Sequence, residues 1–262
     1  MINLKGRKAL ITGASSGFGV DFANILASKG MDLIIVARRK DKLDEVKKDV
    51  EKKHGVKVKV IDMDLAGFHA AEKLYLLTKD ENIEVLLNNA GYGMYEFFQN
   101  QKAPELDKML QLNIITLTAL ANMFLKDMVK KDSGYIMNVA SFAGFNPTPF
   151  YAAYGASKAY VMNFSVALST ELKKTGSKVL VSAFCPGYTD TEFVSRAGQK
   201  RSKFVESTIG QSYPAAVEAV DGLFKGKAVV MPRFMNKLGA FMLKLMSRRK
   251  AAEAIFSSIG KD

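Results

Sequence analysis

Short apolar runs bounded by glycine or charge alternate with longer amphipathic stretches along most of this chain. The runs are Lys8–Thr12 (KALIT), Asp32–Ala37 (DLIIVA), Lys57–Ile61, Glu84–Asn88, Gly134–Ala140 (GYIMNVA), Lys178–Phe184 and Ala228–Met231. Each has the length and apolar continuity of a strand buried on both faces. Between them the apolar spacing turns helical: up to Lys29 with Gly30 as a stop, Lys40–Lys53, Ala70–Lys79, Pro104–Lys130, and a stretch through Tyr154 and Lys158 to about Lys173. Strand alternating with helix predicts an α/β fold. It is a single Rossmann-type doubly wound domain, a parallel sheet of about seven strands with helices on both faces. There is no repeat, low-complexity run or linker, so the domain is placed at residues 1–232 and the remainder, 233–262, is a tail.

In such sheets ligands sit outside the carboxyl ends of the strands, and polar residues gather there. The first strand ends in Thr12-Gly13-Ala14-Ser15-Ser16-Gly17-Phe18-Gly19, followed directly by a helix. Its glycines allow close backbone approach to a pyrophosphate, whose charge the helix start stabilises. Gly13, Ser15, Ser16, Gly17, Phe18 and Gly19 are therefore candidate cofactor contacts. After the second strand, where an NAD site would place an acid, the chain reads Ala37-Arg38-Arg39, with no acid before Asp41. Two guanidiniums at Arg38 and Arg39 suit a ribose 2′-phosphate, or simply cap a strand end; NADP(H) is the expected cofactor over NAD(H). Asn88-Asn89-Ala90-Gly91 ends the fourth strand, Ser141 the fifth and Cys185-Pro186-Gly187-Tyr188-Thr189 the sixth. Asn113 stands among apolar neighbours, as a structural tie or a polar group aimed into a site.

Tyr154 and Lys158 are four residues apart, on one face of a helix. A free phenol has a pKa of about 10, and a neighbouring ammonium draws it down towards the range useful for proton transfer. On its own such a pair is an ordinary solvated helix face.

Composition narrows the choices little. The net charge of +12 arises from basic residues spread among acids. Attraction to an anionic cofactor, an acidic carrier or a membrane surface accounts for it as well as nucleic acid does, and nucleic acid is not expected. The lone Cys185 makes no internal disulfide, and His54 and His69 stand apart with no metal-ligand cluster. The first residues lack a signal-peptide pattern, and the longest apolar stretch, Leu112–Leu125, is polar-interrupted and too short to cross a bilayer. A soluble, cytoplasmic protein is expected.

Taken in order, Thr12–Gly19, Asn88–Gly91, Asn113, Ser141, Tyr154/Lys158 and Pro186-Gly187 resemble the short-chain dehydrogenase/reductase family, over about residues 5–232. The compact one-domain, NADP-preferring branch, with 3-oxoacyl reductases and hydroxysteroid dehydrogenases, is the nearest in pattern. The resemblance implies that Tyr154 is the general acid for carbonyl reduction and that Lys158 binds the nicotinamide ribose. It further implies that Ser141 hydrogen-bonds the carbonyl oxygen and that Asn113 holds a water linking Lys158 to solvent. Asp64 and Leu65 would flank the adenine, Asn88, Ala90 and Gly91 the ribose, and Pro186, Gly187 and Thr189 the nicotinamide amide. Every position expected of an active member is occupied. The family is usually dimeric or tetrameric, often through the helices carrying Asn113 and Tyr154.

Residues 190–213 lie where that family has its substrate lid, with Phe193, Phe204 and the basic cluster Lys200-Arg201-Ser202-Lys203. With Tyr92, Tyr95, Phe142, Phe145 and Phe150 they suggest apolar walls suited to an acyl chain, a steroid or another lipophilic ketone. In the tail, Phe234, Leu238, Phe241, Met242, Leu245 and Met246 recur at helical spacing beside basic residues. Such a helix packs on its own domain or a partner subunit, or lies on a membrane; packing is the expectation.

Overall fold

A computed structural model describes residues 4–199 and 203–259, without the side chains of Lys203 and Phe204. The cluster at 200–203 and Phe204 therefore lie outside what is described. Seven strands form one parallel sheet: β1 (Lys8–Thr12), β2 (Asp32–Ala37), β3 (Val58–Asp62), β4 (Ile83–Asn88), β5 (Tyr135–Val139), β6 (Leu180–Phe184) and β7 (Val229–Val230). Their order is β3-β2-β1-β4-β5-β6-β7, all neighbours parallel. The order reverses between β1 and β4, which opens a crevice at their carboxyl ends.

Strand composition dictates the layers. Successive side chains of a strand point to opposite faces. In β2, Leu33, Ile35 and Ala37 enter one core while Ile34 and Val36 enter the other. Both faces must be covered, and they are. Helices α1 (Phe18–Ser28), α2 (Lys40–His54) and α9 (Ser212–Phe224) cover the first. Helices α3 (Ala70–Thr78), α5 (Leu117–Lys131) and α6 (Ala152–Lys174) cover the second, with α4 (Ala103–Leu110) continuing into α5. Phe22 and Phe184 are fully buried in the first core, with Phe18 edge-on to Phe184 at 5.0 Å. Each such large side chain contributes about 1.5–3 kcal/mol by leaving water.

Strands and helices read from the pattern recur within a residue or two, β7 being shorter. Three features do not follow from it. Helix α9 was not assigned from the sequence, because its alanine-rich face gives a weak signal. The turn Gln111–Thr116 is a π-helical segment joining α4 to α5, so Ala103–Lys131 is one helical run, long and apolar enough to cross a membrane by length and composition. This corrects the expectation drawn from Leu112–Leu125; in the fold its Leu117, Leu120, Ala121, Phe124 and Met128 are buried. The tail is two helices, α10 (Phe234–Lys244) and α11 (Arg248–Ile259), not one. Two short helices, α7 (Phe193–Arg196) and α8 (Lys203–Thr208), fall within residues 190–213, the expected lid.

At the amino edge of the sheet Glu81, just before β4, accepts from Lys59 at 2.6 Å and from Lys8 at 2.5 Å, joining β3 and β1. The Lys59 and Lys8 ammoniums hold its carboxyl down at about 2. A depressed carboxylate stabilises the fold above its ordinary pKa near 4.5, and that contribution is lost as pH falls towards 2. Glu81→Gln should lower stability by about 1 kcal/mol at neutral pH, the scale of two partly exposed pairs. The difference from wild type should shrink between pH 4.5 and 2; urea unfolding midpoints across that range measure it.

Candidate active site

The glycine turn after β1 is held against the end of β4 by its own chemistry. Thr12 Oγ1 accepts from the backbone N–H groups of Asn89 and Ala90, both at 3.0 Å, and Asn89 Nδ2 donates to the Thr12 and Gly13 carbonyls. A β-carbon on Gly13 would lie 2.8 Å from Ala90 Cα, and one on Gly19 only 2.3 Å from the Gly13 carbonyl. Only glycine permits this packing of turn on strand end and of helix on turn. Helix α1 starts at the turn with no side-chain cap, and the start of a helix is a favourable place for phosphate. The Phe18 ring points away into the core, which leaves its backbone as the part available to a cofactor.

At the end of β2, Arg38 is exposed, while Arg39 reaches Ser15, with Nη2 3.1 Å from the carbonyl and 3.3 Å from Oγ. The Arg39 guanidinium and the Ser15 hydroxyl thus flank the glycine turn, with exposed Arg38 adjacent in the chain and no carboxylate at the end of β2, a donor set that fits a phosphate-bearing ribose. Across the crevice Asp64 is exposed, and Leu65 is buried with its carbonyl bonded to Thr116. Ala90 and Gly91 form the β4 lip. Asn88 is different: its side chain turns inward, donating to Asn138 Oδ1 at 2.9 Å and to the Leu117 carbonyl. It ties β4 to β5 and α5, and the cofactor edge is left to the backbone that follows it.

Ser141 leaves β5 and caps the next turn, its Oγ accepting from Ala143 N at 3.2 Å. Its side chain also acts on the Tyr154 phenol, favouring the ionised form against burial. The two residues, far apart in any local sense, meet because β5 delivers one and the amino end of α6 the other. Tyr154 is 7% exposed. Burial pushes its phenol well above the ordinary range, partly offset by Ser141. Lys158 is 4% exposed, and burial pulls its ammonium down to about 8. Its Nζ donates to the Val139 carbonyl at 2.7 Å and lies 5.8 Å from the Tyr154 ring centre. The expectation that Lys158 draws the phenol down is therefore reversed in this structure: desolvation outweighs an ammonium that faces the ring and is bonded elsewhere. Cys185 sits close by, its thiol pushed up to about 12 by burial, which makes it unreactive.

Asn113 occupies the π-helical segment and is fully buried. The wider turn lets it bond the Tyr92 carbonyl at 2.9 Å, the Tyr92 N–H at 3.2 Å and Ser157 Oγ at 3.2 Å. π-bulges are often found at functional sites. A β-carbon on Gly91 would lie 2.9 Å from Asn113 Oδ1 and 3.2 Å from Lys158 Nζ, so both tips border one point. Asn113 is thus both a tie and a group at the site.

Phe193 was expected at the site, and its segment brings further residues that no motif announced. Phe193 packs on the Tyr154 ring with centroids 5.2 Å apart. Gln199, 5% exposed, accepts from the Tyr151 hydroxyl at 2.9 Å and donates to the Tyr188 hydroxyl at 3.3 Å. Glu192 bridges Arg39 at 3.2 Å and Arg196 at 2.5 Å, tying the lid to the end of β2. Thr191 lies over Gly17. On the far rim, Asn236 of α10 meets Gly187, while Thr189 bonds the Gly187 carbonyl. Of the expected wall aromatics, Tyr92, Tyr95, Phe150 and Phe193 share one cluster with Tyr154, whereas Phe142 and Phe145 belong to another. An open cleft of about 500 Å³ beside Tyr75 and Lys131 lies at the amino edge of the sheet, remote from this chemistry.

With this geometry in place, comparison with known proteins is decisive. The short chain dehydrogenase family profile matches residues 7–202. The chain belongs to that family. Over 197 residues it is 36% identical to the very-long-chain 3-oxoacyl-CoA reductase of Anas platyrhynchos, covering 71% of this chain and 61% of that protein. Over 201 residues it is 31% identical to the inactive hydroxysteroid dehydrogenase-like protein 1 of Homo sapiens, covering 74% and 59%. The chain thus spans about three fifths of these curated relatives. A short-chain dehydrogenase from Sphingobium yanoikuyae in complex with NADPH superposes with a TM-score of 0.81 at 30% identity, covering 97% of each chain.

Gly91→Ala would drive its methyl into Asn113 and Lys158. A stability loss of roughly 1–3 kcal/mol is expected from overpacking, read as a lowered melting temperature, together with a loss of cofactor binding by fluorescence titration.

Proposed function

We propose that this chain is an NADP(H)-dependent oxidoreductase that reversibly reduces a lipophilic ketone or 3-oxoacyl-type carbonyl to a secondary alcohol. The observation that carries the reading is the buried Tyr154–Lys158 pair, with Lys158 Nζ 5.8 Å from the Tyr154 ring centre and Ser141 acting on the phenol, at the carboxyl edge of the sheet. When bound, the nicotinamide cofactor supplies hydride to the carbonyl carbon. The glycine turn and the uncapped start of α1 would hold its pyrophosphate, and Arg38, Arg39 and Ser15 its 2′-phosphate. Lys158 would bind the nicotinamide ribose.

The protein's own part is positioning and proton delivery. Burial keeps Tyr154 protonated at neutral pH, the form required to donate a proton to a carbonyl oxygen as negative charge develops there. Ser141 directs a second donor at the same oxygen, fixed in place by its cap on the following turn. Lys158, protonated below about pH 8, restores the proton, and Asn113 nearby would hold the water that links Lys158 to solvent. Phe193 and Gln199 of the lid exclude water from Tyr154. The names of the relatives support the carbonyl class, and the NADPH complex supports the cofactor. Exposed Ile115 and Tyr160, on the run carrying Asn113 and on α6, fit the homo-oligomer that this reading carries with it.

Screening NADPH consumption over 3-oxoacyl thioesters, steroids, sugars and small diketones tests the reading. Turnover of a lipophilic ketone or thioester is expected; NADPH binding with no turnover on any of them would favour a non-catalytic role. Tyr154→Phe should lower kcat by at least about 100-fold while NADPH still binds. Arg38→Ala with Arg39→Ala should raise the KM for NADPH roughly tenfold or more and leave that for NADH nearly unchanged, from lost charge-assisted bonds. Reductive kcat/KM should be level below pH 7 and fall as pH rises through about 8, where Lys158 loses its proton.

A further inference from the structure

Helix α10 is inside out. Its domain-facing side carries Asn236, Gly239, Ala240 and Leu243, of which only Ala240 is fully buried. Its large apolar residues face outward instead: Phe234 is 73% exposed, Phe241 57% and Leu245 68%, with Met235, Leu238 and Met242 beside them. At 3.6 residues per turn these outward residues span an arc of about 120°, with Lys237 and Lys244 together along one flank. Residues 233–259 hold six basic side chains and one acid, Glu253, which is paired with Arg249. Helix α11 does pack on the domain: Ile259 is buried, its carbonyl accepts from Tyr95, and Phe256 stacks on Phe150 at 4.9 Å. Packing on the domain is thus extensive for α11, whereas α10 meets it through Ala240 and its small neighbours and leaves its large apolar residues uncovered.

We propose that α10 docks this protein on an anionic lipid surface, burying its apolar arc at the headgroup boundary with Lys237 and Lys244 against lipid phosphates. A wide apolar arc, a cationic flank and a second helix fixing the first to a folded domain are the features of an interfacial anchor. The charge selects this occupant over a second copy of the chain, because two such surfaces would bring like charge against like charge. Position adds a consequence. Asn236 abuts Gly187, and Gly239 lies against the Phe142 ring, so the inner side of the docked helix adjoins the rim holding Ser141. On the reductase reading, and only on it, a lipophilic substrate would reach Tyr154 from the bilayer without crossing water.

Co-sedimentation of the full chain with phosphatidylcholine vesicles, with and without phosphatidylserine, tests the docking without substrate or cofactor. It therefore stands or falls separately from the reductase reading. The expected result is binding to the anionic vesicles that weakens in high salt. Phe241→Asp with Leu245→Asp should cut the partition coefficient roughly 100-fold, the transfer of two large side chains. Lys237→Glu with Lys244→Glu should cut it roughly tenfold or more. Both variants should keep the wild-type melting temperature and NADPH affinity. No binding of wild type to anionic vesicles, or undiminished binding by both variants, overturns the proposal. So does self-association in sedimentation velocity that the Phe241/Leu245 variant abolishes, which would make a second copy the occupant.

Discussion

A parallel sheet that is apolar on both faces has to be covered on both, and each covering helix must return the chain to the same edge. That constraint gathers the carboxyl ends of every strand along one line. The reversal between β1 and β4 then opens the line into a crevice. Thr12, Asn89 and Gly91 meet there, with Ser141 one strand further on, although they are spread over more than half of the domain. The chemistry of the site is therefore a consequence of how apolar surface is buried. Among Asn113, Ser141, Tyr154 and Lys158, only the last two are local to each other in the chain.

Burial is also the lever that sets protonation. Tyr154, Lys158, Asn113 and Asn138 are all withdrawn from water. A buried polar group is tolerated when its hydrogen bonds are made within the protein. Asn113 makes three, Asn138 links Asn88 to Ser165, and the Lys158 ammonium is held by a backbone carbonyl. Desolvation favours the neutral form of both members of the helical pair, moving phenol and ammonium in opposite directions. The lid contributes to the same end, since Phe193 on the Tyr154 ring helps to exclude solvent.

The tail shows the same bookkeeping of surface with the opposite outcome. Helix α11 finds a partner in the aromatic cluster around Phe150, and its apolar side chains are used. Helix α10 presents small and polar residues to the domain and leaves its large ones outside. Periodicity alone gives both helices the same reading, because it measures the angular separation of apolar from polar residues and not which side meets the protein.

What the sequence determined by itself is considerable. Continuous apolar strands between amphipathic helices specify a doubly wound parallel sheet, because only two-sided burial accounts for them. Gly13 and Gly19 mark the phosphate turn, since no other residue fits between turn, strand end and helix. Ser141, Asn113, Tyr154 and Lys158 were legible as candidates by type and position, and their proximity became so only with the fold. The tertiary structure decided what depends on distant chain segments: that Asn88 faces inward to Asn138, that Lys158 bonds Val139 rather than lowering the Tyr154 phenol, and that Gln199 and Glu192 fasten the lid. It also decided which face of α10 meets solvent. Each turns on desolvation and direction, quantities that a local pattern of residue types does not contain.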